Sequence, residues 1–260
     1  MPNSYFIPER KTLEGKKLFF VSDAHLGLPN YNESLKREKL LIKWLDEIKN
    51  DASEIFLLGD IFDFWYEWKR VVPRGFVRLL AKIAELTDSG IPVHLFTGNH
   101  DIWVFDYLPH ETGVILHTTP FSLEVAGKKI HIAHGDALGP GDYVFKFLKK
   151  LFTNKLLQWF FSRFHPNFAI GLAYAWSRTN RWAHPIPQFL GDDKEWLVHY
   201  SKEVLRKYDF DFFVYGHRHV AIKKNITEKS TIILNGDWLQ QFTFSVFDGV
   251  DFELKYFNRS

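Results

Sequence analysis

Leu57-Leu58-Gly59-Asp60-Ile61-Phe62-Asp63 is the stretch on which the reading of this chain turns. Residues 55–58 form an apolar run of strand length that breaks at a glycine and then an aspartate. In an open α/β sheet, functional groups gather outside the carboxyl ends of the strands. Asp60 is therefore placed where a ligand would sit, and Gly59 removes the side chain that would crowd it. One Gly-Asp pair is ordinary turn chemistry. Four more apolar runs end in a similar way. Asp23-Ala24-His25 follows 18–21, and Gly98-Asn99-His100-Asp101 follows 93–96. His134-Gly135-Asp136 follows 130–133, and Gly216-His217-Arg218-His219 follows 212–215. Five independent turns are a poor account of this pattern; one rim of metal ligands at strand ends explains it.

Working outward from that rim, strands are expected at 17–22, 55–58 and 92–97, with amphipathic helices at 33–49 and 73–88 between them. In the first helix Leu40, Leu41, Trp44, Leu45 and Ile48 share one face at three- and four-residue spacing. This β-α-β-α-β rhythm predicts parallel strands with crossover helices. Shorter strands follow at 114–117, 121–125 and 129–133. A last helix spans about 192–207, and strands recur at 212–215, 231–235, 243–247 and 251–257. Residues 1–16 read as a loose arm or short edge strand. The fold class is α/β, a two-sheet β-sandwich flanked by helices. It is read as a single domain over 1–260 with a helical cap insertion at about 143–190.

The insertion differs from the rest. Between Tyr143 and Trp182 there is no Asp or Glu, while Lys146, Lys149, Lys150, Lys155, Arg163, Arg178 and Arg181 leave the remainder of the chain net negative. It is crowded with Phe and Trp. Val144, Phe147, Leu148, Leu151 and Phe152 mark one helical face, with the lysines opposite. Such a face usually packs on its own core, and the alternative is an apolar substrate or a membrane surface.

With 260 residues the chain can bury a full core without staples. It contains no cysteine, which excludes disulfide scaffolds and thiolate metal sites and fits a reducing compartment. Residues 1–17 are polar, so no signal peptide is expected, and no apolar stretch is long enough to span a bilayer. No recognised nucleic-acid-binding motif is present, and none is expected as a partner.

The candidate ligands are Asp23, His25, Asp60, Asn99, His134, His217 and His219. Carboxylate, amide and imidazole without thiolate suit Mn²⁺, Fe²⁺ or Zn²⁺. Seven ligands exceed the need of one ion and suit two divalent metal ions sharing a carboxylate, with Asp60 the natural bridge. Two such ions would lower the pKa of a shared water and hold phosphate oxygens. His100, beside Asn99, is the candidate proton donor to a phosphate oxygen or leaving group. Asp101 is assigned the part of orienting it, and Asp63 a supporting one.

Asp23-x-His25, Gly59-Asp60-x-x-Asp63, Gly98-Asn99-His100-Asp101, His134-Gly135-Asp136 and Gly216-His217-x-His219 together resemble the full signature of the calcineurin-like metallophosphoesterases. The resemblance implies a dinuclear centre with Asp23, His25, Asp60 and His219 on one ion and Asp60, Asn99, His134 and His217 on the other. Ser22-Asp23-Ala24-His25-Leu26-Gly27, Gly59 to Trp65 and the insertion after Asp136 more narrowly resemble the UDP-2,3-diacylglucosamine hydrolase family of lipid A synthesis. That resemblance implies a lipid-nucleotide substrate cleaved to UMP and 2,3-diacylglucosamine 1-phosphate, with Asp142, Ser177 and Arg178 as substrate-binding residues. It also implies a cytoplasmic enzyme, peripheral on the inner face of the inner membrane. His100 stands where the best-known members carry Arg. The alternatives are a soluble phosphodiesterase or nucleotide phosphatase of the same superfamily and, in another class, a non-catalytic scaffold. A scaffold would be free to lose ligands, and none is lost. The oligomeric state is left open.

Overall fold

The structure is a computed structural model that describes residues 6–140, 143–181 and 187–258. The strands are β1 (Glu9–Lys11), β2 (Lys17–Val21), β3 (Ala52–Leu57), β4 (Val93–Phe96), β5 (Ile115–His117), β6 (Phe121–Val125), β7 (Lys128–Ala133), β8 (Phe212–Tyr215), β9 (Ala221–Asn225), β10 (Thr231–Asn235), β11 (Thr243–Phe247) and β12 (Phe252–Tyr256). The helices are α1 (Tyr31–Ile48), α2 (Val77–Asp88), α3 (Tyr107–Thr112), α4 (Tyr143–Phe152), α5 (Lys155–Phe161), α6 (Pro166–Arg181) and α7 (Trp196–Leu205).

Strand alternation sets the layers. In β2, Leu18 and Phe20 enter one apolar cluster while Phe19 and Val21 enter another. In β3, Phe56 joins the first cluster, Ile55 and Leu57 the second. This is the period-two division of strands buried on both faces. One six-stranded sheet runs β12-β11-β2-β3-β4-β5 and the other β1-β6-β7-β8-β10-β9. Their facing sides form a core in which Phe20, Phe56 and Phe96 meet Ile132, Val214 and Ile233. Outside the first sheet, α1 and α2 bury Leu41, Trp44, Leu45, Leu79 and Ile83. Outside the second, α7 buries Leu197, Val198 and Val204 among Phe213 and Tyr215. The two-sheet sandwich flanked by helices expected from the sequence is the observed fold.

β2, β3 and β4 run parallel, as do β7, β8 and β10. Their carboxyl ends carry the motif loops from both sheets. Two elements fall outside the sequence reading: β9, a half-exposed edge strand paired antiparallel with β10, and α3, a helix of six residues. Three helices start elsewhere than expected: α1 two residues before 33, α2 four residues after 73 and α7 four residues after 192. The early start of α1 follows from Asn30, whose side chain accepts from the Glu33 amide as the helix N-cap.

Helices α4 to α6 lie between β7 and α7 and dock on the loops after β3 and β4. Tyr66 Oη donates to Gln158 O at 2.8 Å, and Trp103 Nε1 to Phe152 O at 2.8 Å. Phe161 packs its ring on Tyr66 and Trp103. The amphipathic face expected on α4 is divided. Leu148 and Phe152 line a groove, whereas Phe147 is 65% and Leu151 39% exposed.

Candidate metal centre

Asp23 and His25 follow β2, Asp60 follows β3, Asn99 and His100 follow β4, His134 follows β7, and His217 and His219 follow β8. Tight loops bring these side chains together at a backbone cost. Asp23, His25, Asp60, His217 and His219 have φ of 54°, 41°, 50°, 63° and 51°. Non-glycine residues in the left-handed region are strained by roughly 1–3 kcal/mol each, and such strain clusters at functional sites. Glycine supplies the clearance. A β-carbon on Gly216 would come within 2.7 Å of Asp23 Oδ2, and one on Gly98 would collide with Asp60 Oδ1.

Hydrogen bonds to backbone fix the donors. Asp23 Oδ2 accepts from the His217 amide at 2.9 Å and Asp60 Oδ1 from the His100 amide at 2.8 Å. His134 Nδ1 donates to Leu58 O at 2.7 Å, which turns Nε2 toward Asp60 Oδ2, 3.5 Å away. Buried Arg37 donates to the carbonyls of Ala24, His25 and Leu28, holding the first motif loop from behind.

The donor atoms fall into groups. Those of Asp23, His25 and His219 lie within 4.8 Å of one another, and so do those of Asp60, His134 and His217. Asp60 Oδ2 stands between the groups, 3.7 Å from His25 Nε2 and 3.5 Å from His134 Nε2. Asn99 Oδ1 lies 3.0 Å from His217 Nδ1 and 3.4 Å from His134 Nε2. The arrangement fits divalent cations. Asp23 Oδ1 is buried with no hydrogen-bond donor, an anionic oxygen that a cation would satisfy. Burial opposes ionisation of Asp23, but His219 and His25 hold it well below the usual carboxylate range. Burial pulls His134 down, and the charge of Asp60 outweighs it and lifts the imidazole to about 10. A place that keeps a buried imidazole protonated is one that attracts positive charge.

His100 is 14% exposed at the mouth of the site. Its Nδ1 donates to Asp63 O at 2.8 Å and lies 3.3 Å from Asp63 Oδ1. Asp101, assigned by the sequence to orient His100, is placed differently. Its carboxylate accepts from the amides of Gly98, Asp60, Ile61 and Phe62. It ties two motif loops together, and burial with the nearby Asp60 charge pushes it up to about 7. The side chain beside His100 is Asp63. Asp63 Oδ1 also lies 3.3 Å from His25 Nδ1 and accepts from Ser177 Oγ at 2.7 Å. Ser177 thus joins α6 to the centre. Asp142 and the side chain of Arg178 lie outside the described residues.

One residue escapes the sequence reading. Asp237 Oδ2 is 3.3 Å from His219 Nδ1, while its Oδ1 accepts from the amides of Leu239, Gln240 and Gln241. Its signal was available: the apolar strand β10 ends at Asn235 and is followed at once by Gly236-Asp237.

A family model for calcineurin-like phosphoesterases matches residues 16–221. The chain belongs to this family. It is 34% identical over 257 residues to the UDP-2,3-diacylglucosamine hydrolase of Porphyromonas gingivalis (strain ATCC BAA-308 / W83), an alignment covering 92% of this chain and 97% of that protein. A protein of the same name from Histophilus somni (strain 129Pt) is 26% identical over 234 residues, covering 86% and 92%. Among solved structures, a dimetal phosphatase from Danio rerio is 13% identical, covers 94% of this chain and 99% of its own, and superposes with a TM-score of 0.42. This calcineurin-like phosphoesterase is a metal-dependent phosphoester hydrolase. Among the described residues, no helix is long and apolar enough to cross a membrane.

Proposed function

We propose that the chain hydrolyses the diphosphate of UDP-2,3-diacylglucosamine to UMP and 2,3-diacylglucosamine 1-phosphate. The observation that carries this reading is a groove of about 460 Å³ that starts at Asn99, His100 and Asp63 and runs beneath α4, α5 and α6. Leu148, Phe152, Phe161, Leu172 and Ala173 make its wall. An apolar groove opening on a phosphoesterase centre suits a phosphate that carries acyl chains. Burying them contributes about 0.8 kcal/mol per CH₂. A small polar phosphodiester gains nothing from such a wall. The names of the relatives point to the same substrate.

Asp23, His25, Asp60 and His219 would hold one divalent ion, and Asp60, Asn99, His134 and His217 a second, with Mn²⁺ the assigned metal. When bound, such ions supply an activated water and screen the phosphate charge. The chain's own groups do the rest. Nδ1 of His100 stays committed to Asp63; Nε2 is left to carry a proton toward a phosphate oxygen or the leaving group. Asp101 keeps the Asp60 and Asn99 loops in register. The groove sets the acyl end and so the register of the diphosphate on the centre.

The outer surface of these helices supports a membrane-surface role. Phe147, Trp159, Phe160, Phe164 and Phe168 are all at least half exposed, and Lys150, Lys155 and Arg163 are exposed with them. Exposed aromatics among cations suit the headgroup boundary of an anionic bilayer, where a diacylated substrate resides. The test is UMP release by the purified, Mn²⁺-loaded chain. The expected result is release from UDP-2,3-diacylglucosamine far faster than from UDP-N-acetylglucosamine. Equal rates on the two substrates would leave only a general phosphodiesterase.

A further inference from the structure

We propose that the cavity on the other side of α6 receives the nucleoside end of the substrate, an inference resting on the lipid-nucleotide reading above. Helix α6 touches the metal loops at two points one turn apart. Ser177 bonds Asp63, and Tyr174 lies against Gly27, where a β-carbon would come within 2.8 Å of the Tyr174 hydroxyl. Leu172, Ala173 and Ser177 face the apolar groove. Tyr174 instead lines a second cavity of about 230 Å³ between α1 and the turn before α2.

The two linings differ in kind. The second cavity is lined by Tyr31 and Tyr174 together with Phe76, Asn30, Glu38 and Arg74. Glu38 is buried and fixed, its Oε1 accepting from the amides of Arg78 and Leu79. Arg74 is exposed and forms no ion pair among the described residues. The turn that presents it is strained at Phe76, which has φ 60° with its ring packed on Phe62 and Trp65. A bulky residue held in that region by core packing fixes the loop rather than letting it relax.

A nucleoside diphosphate joined to an acylated sugar has an apolar end and a planar, polar end, with the reacting phosphorus between them. One cavity here is apolar and the other aromatic and polar. They flank one helix whose contacts with Gly27 and Asp63 lie at the metal loops. A pyrimidine stacks on tyrosine faces, Arg74 donates to its carbonyls or to a phosphate oxygen, and Glu38 is the anionic acceptor on the wall for ribose hydroxyls.

The test is UMP titration of the full chain in Mn²⁺, followed by isothermal titration calorimetry, for the unaltered protein and for Arg74→Ala and Tyr31→Ala. Each variant is expected to bind UMP roughly tenfold more weakly. KM for UDP-2,3-diacylglucosamine should rise with it, whereas inhibition by 2,3-diacylglucosamine 1-phosphate, which lacks the nucleoside, should hold. That last readout also reports an intact fold. UMP affinity unchanged in both variants would overturn the assignment of the cavity. Binding is read without turnover, so the two ideas fail separately. Absence of hydrolysis removes the proposed reaction, while hydrolysis with unaltered UMP affinity removes only the cavity.

Discussion

His131 offers a clean test of the packing derived for the second sheet, well away from the metal donors. Its ring is fully buried among Phe6, Phe210, Phe213 and Tyr215. Nδ1 meets Ser122 Oγ at 2.9 Å and Nε2 meets Tyr200 Oη at 3.2 Å. Burial holds this imidazole at about 3, against an ordinary 6.5. The folded pKa is depressed, so below 6.5 the unfolded chain binds a proton that the folded chain refuses. Stability is therefore complete above the unfolded value and is lost as pH falls through the window from 6.5 to about 3. The whole window amounts to about 5 kcal/mol, of which about 2 kcal/mol falls between pH 7 and pH 5. His131→Gln keeps an amide for Ser122 and Tyr200 and removes the titration. Its constant cost is about 1–3 kcal/mol from imperfect bonding, but that cost does not vary with pH. Urea unfolding at pH 7, 6 and 5 in EDTA, which removes metal release from the balance, is expected to show the variant losing about 2 kcal/mol less than the unaltered chain. His117, held at about 3 by burial and by His94, titrates in both proteins and cancels. Parallel stability curves for the two chains would refute the burial account of His131.

Asp60→Ala should lose both ions, because its Oδ2 stands between the two donor groups; native mass spectrometry retaining two metals per chain would remove the bridge. His100→Ala should keep the metals while kcat falls roughly 10²–10⁴-fold, and metal loss in step with activity would make it a ligand or a support instead. Asp237→Asn should weaken metal affinity about 10–100-fold through His219, measured by competition with a chelator; an unchanged dissociation constant would limit Asp237 to capping its own turn.

What the sequence disclosed and what it hid divide along physical lines. Buried parallel strands announce themselves as apolar runs, because both faces need apolar side chains, and so β2, β3, β4, β7 and β8 and the loops after them were legible. β9, Ala-Ile-Lys-Lys-Asn, was not, because an edge strand with one solvated face needs no such run. α3 was hidden by Pro109 and by burying only Leu108 and Thr112. Among the site residues, type and spacing indicated the donors but not their supporting contacts. Asp63 and Asp101 both follow ligand motifs and look equivalent in one dimension. Only the fold shows that Asp101 is enclosed by four amides while Asp63 faces His25, His100 and Ser177. Asp237 was missed because its motif carries no histidine, although it follows the same strand-Gly-Asp pattern as Asp60. The α4 pattern misled in a different way. Helical periodicity identifies an apolar face, but it cannot say how many neighbours that face meets. Leu148 and Phe152 meet the groove, and Phe147 and Leu151 meet solvent. A helix that leaves large apolar side chains outside a well-buried core is not explained by folding energetics alone, since each would stabilise the chain more if covered. Their exposure on the helices that carry the groove wall is the feature that the proposed membrane-surface role accounts for.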